Sequence, residues 1–145
     1  MHKVLELKND VSQVPVLGEW IEMLGEELSL PMPAVFQLNL ALEEAVVNVM
    51  NYAYGTQKDM PVLLTVDVEE GGNGDIRFEL IDEGVPFDPT KAEAPDVTLS
   101  AEERNIGGLG IFLVQQLMHL VEYSRQGNKN ILCMVYRPGK VNDNA

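Results

Sequence analysis

A single cysteine, Cys133, in a chain of 145 residues leaves no internal disulfide to staple a fold. Basic side chains are scarce: 10 Lys and Arg stand against 23 Asp and Glu, a formal net charge of -13. Duplex DNA and anionic membrane surfaces both reward a basic face, so neither fits as the main partner. No apolar run is long enough to cross a bilayer. The opening residues, Met1-His2-Lys3-Val4-Leu5-Glu6, lack the apolar core of a signal peptide. A cytoplasmic protein is therefore expected. No linker, repeat or low-complexity block divides the chain, and one domain over 1–145 is expected. The acidity has a plain reading, that it keeps the chain soluble, and a sharper one, that part of it faces a basic partner. It leaves phosphate binding open, because a local glycine turn can hold phosphate on an acidic protein.

What is present suits a folded domain with a proper core: 46% of residues are apolar and 23% charged. A weak first strand is expected over 3–8. From Ser12 to Leu28 the apolar residues Val14, Leu17, Ile21, Leu24 and Leu28 recur at helical spacing, with Ser12 as cap and Pro15 in the first turn. Pro31-Met32-Pro33 breaks the chain and opens a second helix over about 33–52, with Leu38, Leu42, Ala45 and Val49 on one stripe. Residues 60–69 and 75–82 alternate around Gly71-Gly72-Asn73-Gly74 and form a hairpin. Residues 86–105, with three prolines and many charges, read as a long functional or disordered loop. A helix follows from about Gly108 to Leu120. Next come a strand from Val121 to Arg125, a turn at Gly127-Asn128-Lys129, a last strand from Asn130 to Arg137 and a frayed tail. Cys133, in the last strand, reads as a core residue rather than a nucleophile. The order β-α-α-β-β-loop-α-β-β gives an α+β fold. It is a two-layer sandwich whose mixed, mostly antiparallel sheet is covered on one face by about three helices.

Three short stretches carry chemistry. Glu44 and Asn48 lie four apart and share a helix face, with Gln37, Ala41 and Asn51 extending it. A neutral amide oxygen suits Mg²⁺, and a carboxylate one turn earlier can orient or deprotonate a nucleophile. Taken alone, such a pair is an ordinary solvated helix face. Asp82 continues the Ile76-Phe78-Leu80 face of its strand, which points it inward, where a carboxylate needs a hydrogen-bonding partner. An adenine amino group is one, and Gly84 lets the backbone pass close to the ring. Alone, Asp-x-Gly is also a common strand ending. Gly107, Gly108 and Gly110 precede an apolar run at helical spacing, and the free N–H groups of a helix start favour phosphate. No Gly-Lys-Ser/Thr follows, so this is not a Walker loop, and no βαβ unit surrounds it. Alone it is a hinge before a buried helix. Arg104, just upstream, reads equally as a phosphate ligand and as a surface charge.

Joined in this order, Glu44-Ala45-Val46-Val47-Asn48, Asp82-Glu83-Gly84-Val85-Pro86 and Ile106-Gly107-Gly108-Leu109-Gly110 resemble the N, G1 and G2 boxes of the GHKL (Bergerat-fold) ATP-binding domains. Over nearly its whole length the chain is similar to the RsbW-type anti-sigma serine kinases and anti-sigma regulatory factors. The resemblance implies ATP with Mg²⁺ between the helices and a lid over about 88–106. It implies Asn48 on the metal, Asp82 on adenine, and Gly84, Arg104, Gly107, Gly108, Leu109 and Gly110 around the nucleotide. Glu44 becomes the catalytic base toward a serine of an anti-anti-sigma, STAS-type protein. A sigma factor or similar regulator is the sequestered partner, with no direct nucleic acid or membrane contact, and homodimerisation is an expectation from relatives. Tyr52 stands where many relatives carry histidine. No segment resembles the phospho-accepting helix of a sensor histidine kinase. A non-catalytic, nucleotide-responsive binding module is the alternative function, and a decayed fold that binds no nucleotide is a third.

Overall fold

The computed structural model describes residues 1–68, 74–91 and 106–138, with residues 106–110 as backbone only. The expected turn glycines Gly71 and Gly72, most of the expected lid, Arg104 and the tail lie outside these residues. Strand β1 (His2–Lys8) leads through a short turn into helix α1 (Val14–Glu27) and then α2 (Met32–Asn48). The hairpin β2 (Pro61–Val68) and β3 (Ile76–Asp82) follows, then α3 (Ile106–Leu117), β4 (Leu120–Gln126) and β5 (Lys129–Tyr136). None of the described helices is long and apolar enough to cross a membrane.

The strands lie in the order β1-β2-β3-β5-β4. All four pairings are antiparallel, so among the described residues the expected mixed character is absent. The connections explain this. Two helices separate β1 from β2, and β2 returns beside β1 antiparallel. Strands β3 and β4 run the same way, but β5 folds back by a hairpin into the gap between them. Gly127, at φ 61°, takes the left-handed conformation of that turn.

Strand alternation divides the sheet cleanly. Val62, Leu64 and Val66, Ile76, Phe78 and Leu80, and Leu132, Met134 and Tyr136 face the helices and are buried. They meet Leu17, Trp20, Ile21 and Leu24 of α1, Leu38, Leu42 and Val46 of α2, and Ile111 and Val114 of α3. Cys133 is buried, but it faces away from the helices, opposite Glu79, and burial pushes its thiol up from the ordinary value. The expected Ser12 cap is replaced. Asp10 sits before the turn, and its side chain accepts from the Ser12 N–H at 2.9 Å. Asp10 is the better cap here because its backbone is extended and its carboxylate reaches two residues on.

Beyond Asn48 the second helix does not stop. It widens into a π-helical turn, Val49–Tyr54, which ends at Gly55 with φ 61°. Leu42 is fully buried at the middle of α2. Leu42→Ala is expected to lower folding stability by about 2–5 kcal/mol, read as a shift of the urea midpoint with unchanged slope.

Candidate functional site

Where α2 ends, its inner face, the last residues of β3, the first of β5 and the start of α3 enclose a narrow cleft. Asn48 and Asp82 both line it, with Phe87, Ile111, Tyr123 and Asn130 among the other walls. The free room inside is about 10 Å³, space for roughly one water.

Asp82 is 2% exposed, on the helix side of the sheet as alternation requires. Its Oδ1 accepts from the Gly84 N–H at 2.8 Å and from Asn130 Nδ2 at 2.9 Å. Oδ2 receives no donor among the described residues. Burial pushes the carboxyl above its ordinary value, opposed by the bonds from Asn130 and Gly84 and by the charge of Arg125. Asn130 is directly opposite Asp82 in the β3–β5 register and is itself buried. Its Nδ2 also donates to the Val85 carbonyl at 2.8 Å, while its Oδ1 accepts from the Phe87 N–H at 3.2 Å and from the Tyr123 hydroxyl. Arg125 donates through a terminal nitrogen to the Gly84 carbonyl at 2.8 Å.

The other side of this loop is gripped by the π turn. The Tyr54 hydroxyl accepts from the Glu83 N–H at 2.7 Å and donates to the Pro61 carbonyl at 2.6 Å. The Ala53 carbonyl accepts from the Val85 N–H at 3.0 Å. The ring of Tyr52 stacks on Phe87 with centroids 5.4 Å apart. Three successive residues of the helix end thus hold residues 83, 85 and 87. Gly84 is tight here for a reason the sequence does not display: a Cβ would stand 2.4 Å from the Ala53 carbonyl oxygen. Closeness to the helix end, not only to a ligand, requires glycine.

Asn48 is 5% exposed, and its Nδ2 is the one buried side-chain polar atom among the described residues without a partner. A buried unpaired amide costs about 1–3 kcal/mol. Glu44, one turn earlier, is half-buried and does not line the cleft. Gly107, Gly108, Leu109 and Gly110 fall within the first turns of α3, which begins at Ile106, two residues before the expected start. The N–H groups of a helix's first turn lack partners within it, here among the described residues those of Ile106, Gly107 and Gly108. Ile111, directly after Gly110, lines the cleft. Asn48, Asp82 and the start of α3 therefore converge, Gly84 serves the loop, and Arg104 lies outside the described residues.

Asn130, Tyr123 and the Tyr52–Phe87 stack were absent from the sequence reading. Asn130 carried a faint signal: it shares its strand face with Leu132, Met134 and Tyr136, a polar start to an apolar row. Its pairing with Asp82 needed the register between strands of two different hairpins.

Two outcomes follow from this geometry. Tyr54→Phe leaves the Glu83 N–H and the Pro61 carbonyl without their partner and should cost about 1–3 kcal/mol in chemical denaturation. Asp82→Asn removes a buried carboxyl whose neutral form the fold favours. A raised carboxyl contributes most to stability below its unfolded pKa, and that contribution is lost as pH rises through the folded value. At neutral pH the variant should melt no lower than the parent, and its advantage should vanish in acid.

Comparison with known proteins agrees with this architecture. The family described as histidine kinase-like ATPase domain matches residues 7–136. The chain is 27% identical over 115 residues to the serine/threonine-protein kinase BtrW of Bordetella bronchiseptica, covering 79% of each protein. It is 26% identical over 145 residues to the serine-protein kinase RsbW of Listeria monocytogenes, covering 92% of this chain and 90% of that one. Its fold is similar to a crystal structure of the RsbU and RsbW domains of a Mycobacterium tuberculosis protein, with TM-score 0.63 at 12% identity. That match covers 93% of this chain and 32% of the larger one, so the chain spans about a third of that protein. A blue-light activated histidine kinase of Erythrobacter litoralis is similar at TM-score 0.59 and 18% identity, over 88% of this chain and 42% of that one. With a match from residue 7 to residue 136 and a cleft at the meeting of its three boxes, the chain belongs to the histidine kinase-like ATPase domain family.

Proposed function

We propose that this protein binds Mg-ATP in the cleft and acts as a protein serine/threonine kinase. Its substrate would be an anti-anti-sigma, STAS-type antagonist, and it would sequester a sigma factor or similar regulator. The observation that carries the nucleotide reading is the pairing of two unspent polar groups in one apolar cleft. These are the Asn48 Nδ2, buried and without a partner among the described residues, and the Asp82 Oδ2, which receives no donor among them. The kinase reading adds the names of the two relatives and the resemblance to RsbW-type kinases.

Asp82 is suited to an adenine edge. Its Oδ1 is already spent on Gly84 and Asn130, so Oδ2 is the acceptor left for the 6-amino group. A guanine would present a carbonyl to a carboxylate there. The amide of Asn48 fits a magnesium ion: turned by half a rotation, it offers one neutral oxygen to a cation that takes its remaining ligands from phosphates and water. When bound, Mg²⁺ would neutralise charge on the phosphate oxygens. The free N–H groups at the start of α3 favour those phosphates. Glu44, one turn from Asn48, would take the proton of the partner's serine as its oxygen bonds to the terminal phosphorus and ADP leaves. Glu44 stands outside the cleft lining, the one observation favouring the alternative of a nucleotide-responsive module without transfer. Labelled phosphate on the antagonist would reject that alternative.

Calorimetry with Mg-ATP should show binding that Asp82→Ala abolishes. In Asp82→Asn, the donors from Gly84 and Asn130 hold the amide oxygen and turn its NH₂ toward the cleft. Preference for ATP over GTP should then fall at least about tenfold with the fold intact. ATP affinity of the parent should decline as pH drops through the raised Asp82 value, because the protonated carboxyl is a poorer acceptor, and Asp82→Asn should lack that decline. Glu44→Gln should keep ATP binding and slow phosphate transfer by about 10²-fold or more; transfer at the parent's rate would remove Glu44 from its role.

A further inference from the structure

At the opposite end of α2 lies a second concavity unconnected with the cleft. Asn48 is the last residue of α2 and Met32 the first, some 24 Å apart along the axis. A groove of about 440 Å³ runs between α1 and α2 here, lined by Glu22, Gly25, Glu26, Leu30, Met32 and Val35. Gly25 sets its depth. The two helices approach so closely at that point that a Cβ on Gly25 would meet the Val35 side chain at 2.5 Å. With no side chain there, Val35 seats against α1, and the groove lies beside that contact. Its α2 wall is apolar: Met32 is 80% accessible, and Phe36, one turn on and outside the lining itself, is 65% accessible. The rim from α1 is acidic. Between Val14 and Glu27 that helix has no Lys or Arg. Among the described residues Glu27 pairs with Lys3, while Glu22 and Glu26 make no ion pair.

We propose that this groove docks an amphipathic helix of a partner protein, with apolar side chains against Met32, Val35 and Phe36 and Lys or Arg toward Glu22 and Glu26. Length and charge both point to that occupant. From Glu22 to Ser29 the rim runs about 10 Å, two turns of helix, the reach of anchors at i, i+3 or i+4 and i+7. An acidic rim beside an apolar wall repels nucleic acid and anionic lipid. It also disfavours a second copy of this chain. A two-fold contact would bring Glu22 and Glu26 near their own symmetry mates, and neither α1 nor α2 supplies a basic side chain to offset them. Docking here is independent of the nucleotide reading, since the cleft at Asn48 remains free.

The probe is a fluorescent Leu/Lys peptide of about two heptads, amphipathic as a helix, with a scrambled peptide of the same composition as control. The parent should bind the amphipathic peptide at least about tenfold more tightly than the scramble. Glu22→Lys with Glu26→Lys, and separately Met32→Ser with Phe36→Ser, should each weaken binding about tenfold or more, with Mg-ATP affinity and melting temperature unchanged. Glu6→Lys with Glu122→Lys, exposed on the sheet face away from the helices, should leave it unaltered. The proposal fails if the groove variants bind like the parent, or if the distant reversals weaken binding as much, which would reveal net-charge attraction alone. It also fails if Met32→Ser with Phe36→Ser converts a dimer to a monomer in sedimentation, which would make a second copy the occupant. Loss of Mg-ATP binding in the parent would sink the nucleotide reading and leave this one standing.

Discussion

The Asp82 carboxylate is fixed where the helix-side face of the sheet closes over it, one oxygen holding the Gly84 N–H and the Asn130 amide together. An inward-facing carboxylate at 2% exposure would be costly without those donors. Each donor belongs to a different part of the chain, so the bond pair ties the end of β3 to its own following loop and to β5. Asn130 then passes the constraint on, to the Val85 carbonyl, the Phe87 N–H and the Tyr123 hydroxyl. A single buried amide with every hydrogen-bonding position occupied thus sets the floor of the cleft. Such a network is rigid because breaking any one member strands another.

The roof of the cleft is set by the same loop from its other side. A regular α-helix presents residues to a neighbour every three or four positions. The π turn after Asn48 instead brings Tyr52, Ala53 and Tyr54 in succession against Phe87, Val85 and Glu83. Widened turns of this kind frequently mark functional sites, and here the widening lets one helix end both carry Asn48 and hold the Asp82 loop. Residues from two of the sequence boxes are therefore bonded into one piece. Tyr52, where many relatives carry histidine, has a concrete place in that piece as the stacking partner of Phe87.

How much of this was legible follows the range of the interactions. Alternation put Asp82 inward and periodicity put Glu44 and Asn48 on one helix face, because both signals live within ten residues. The element order came through whole for the same reason. What stayed hidden depended on pairings across the chain. The all-antiparallel sheet required knowing that β5 inserts between β3 and β4. The role of Asn130 required the β3–β5 register, and Gly84's tight seat required the path of the π turn 30 residues earlier. The cap expected of Ser12 on α1 did not form, because a short turn at Val11–Gln13 precedes the helix and Asp10, with its extended backbone, caps that turn instead.

The cleft as it stands holds about 10 Å³ of free space, far less than a nucleotide base requires. For a base to enter as proposed, a wall would have to yield, and the bonding pattern says which. Asp82, Asn130 and the Phe87 backbone are cross-linked by directional hydrogen bonds within the sheet and its loop, and Phe87 is also stacked on Tyr52. Ile111 and Pro89 face the cleft through apolar contact alone, which slides and re-forms on another apolar surface at little cost. Ile111 follows directly on a helix start that holds Gly107, Gly108 and Gly110, and each glycine weakens a helix by about 0.8–1.0 kcal/mol relative to alanine. The least stable turn of α3 is thus the one beside the cleft. A base entering between Asp82 and Ile111 would push on that turn first. On the proposed nucleotide reading, the glycines of the third box would then have a second use besides approach to phosphate: they would keep soft the wall that has to move, while the hydrogen-bonded floor at Asp82 stays fixed.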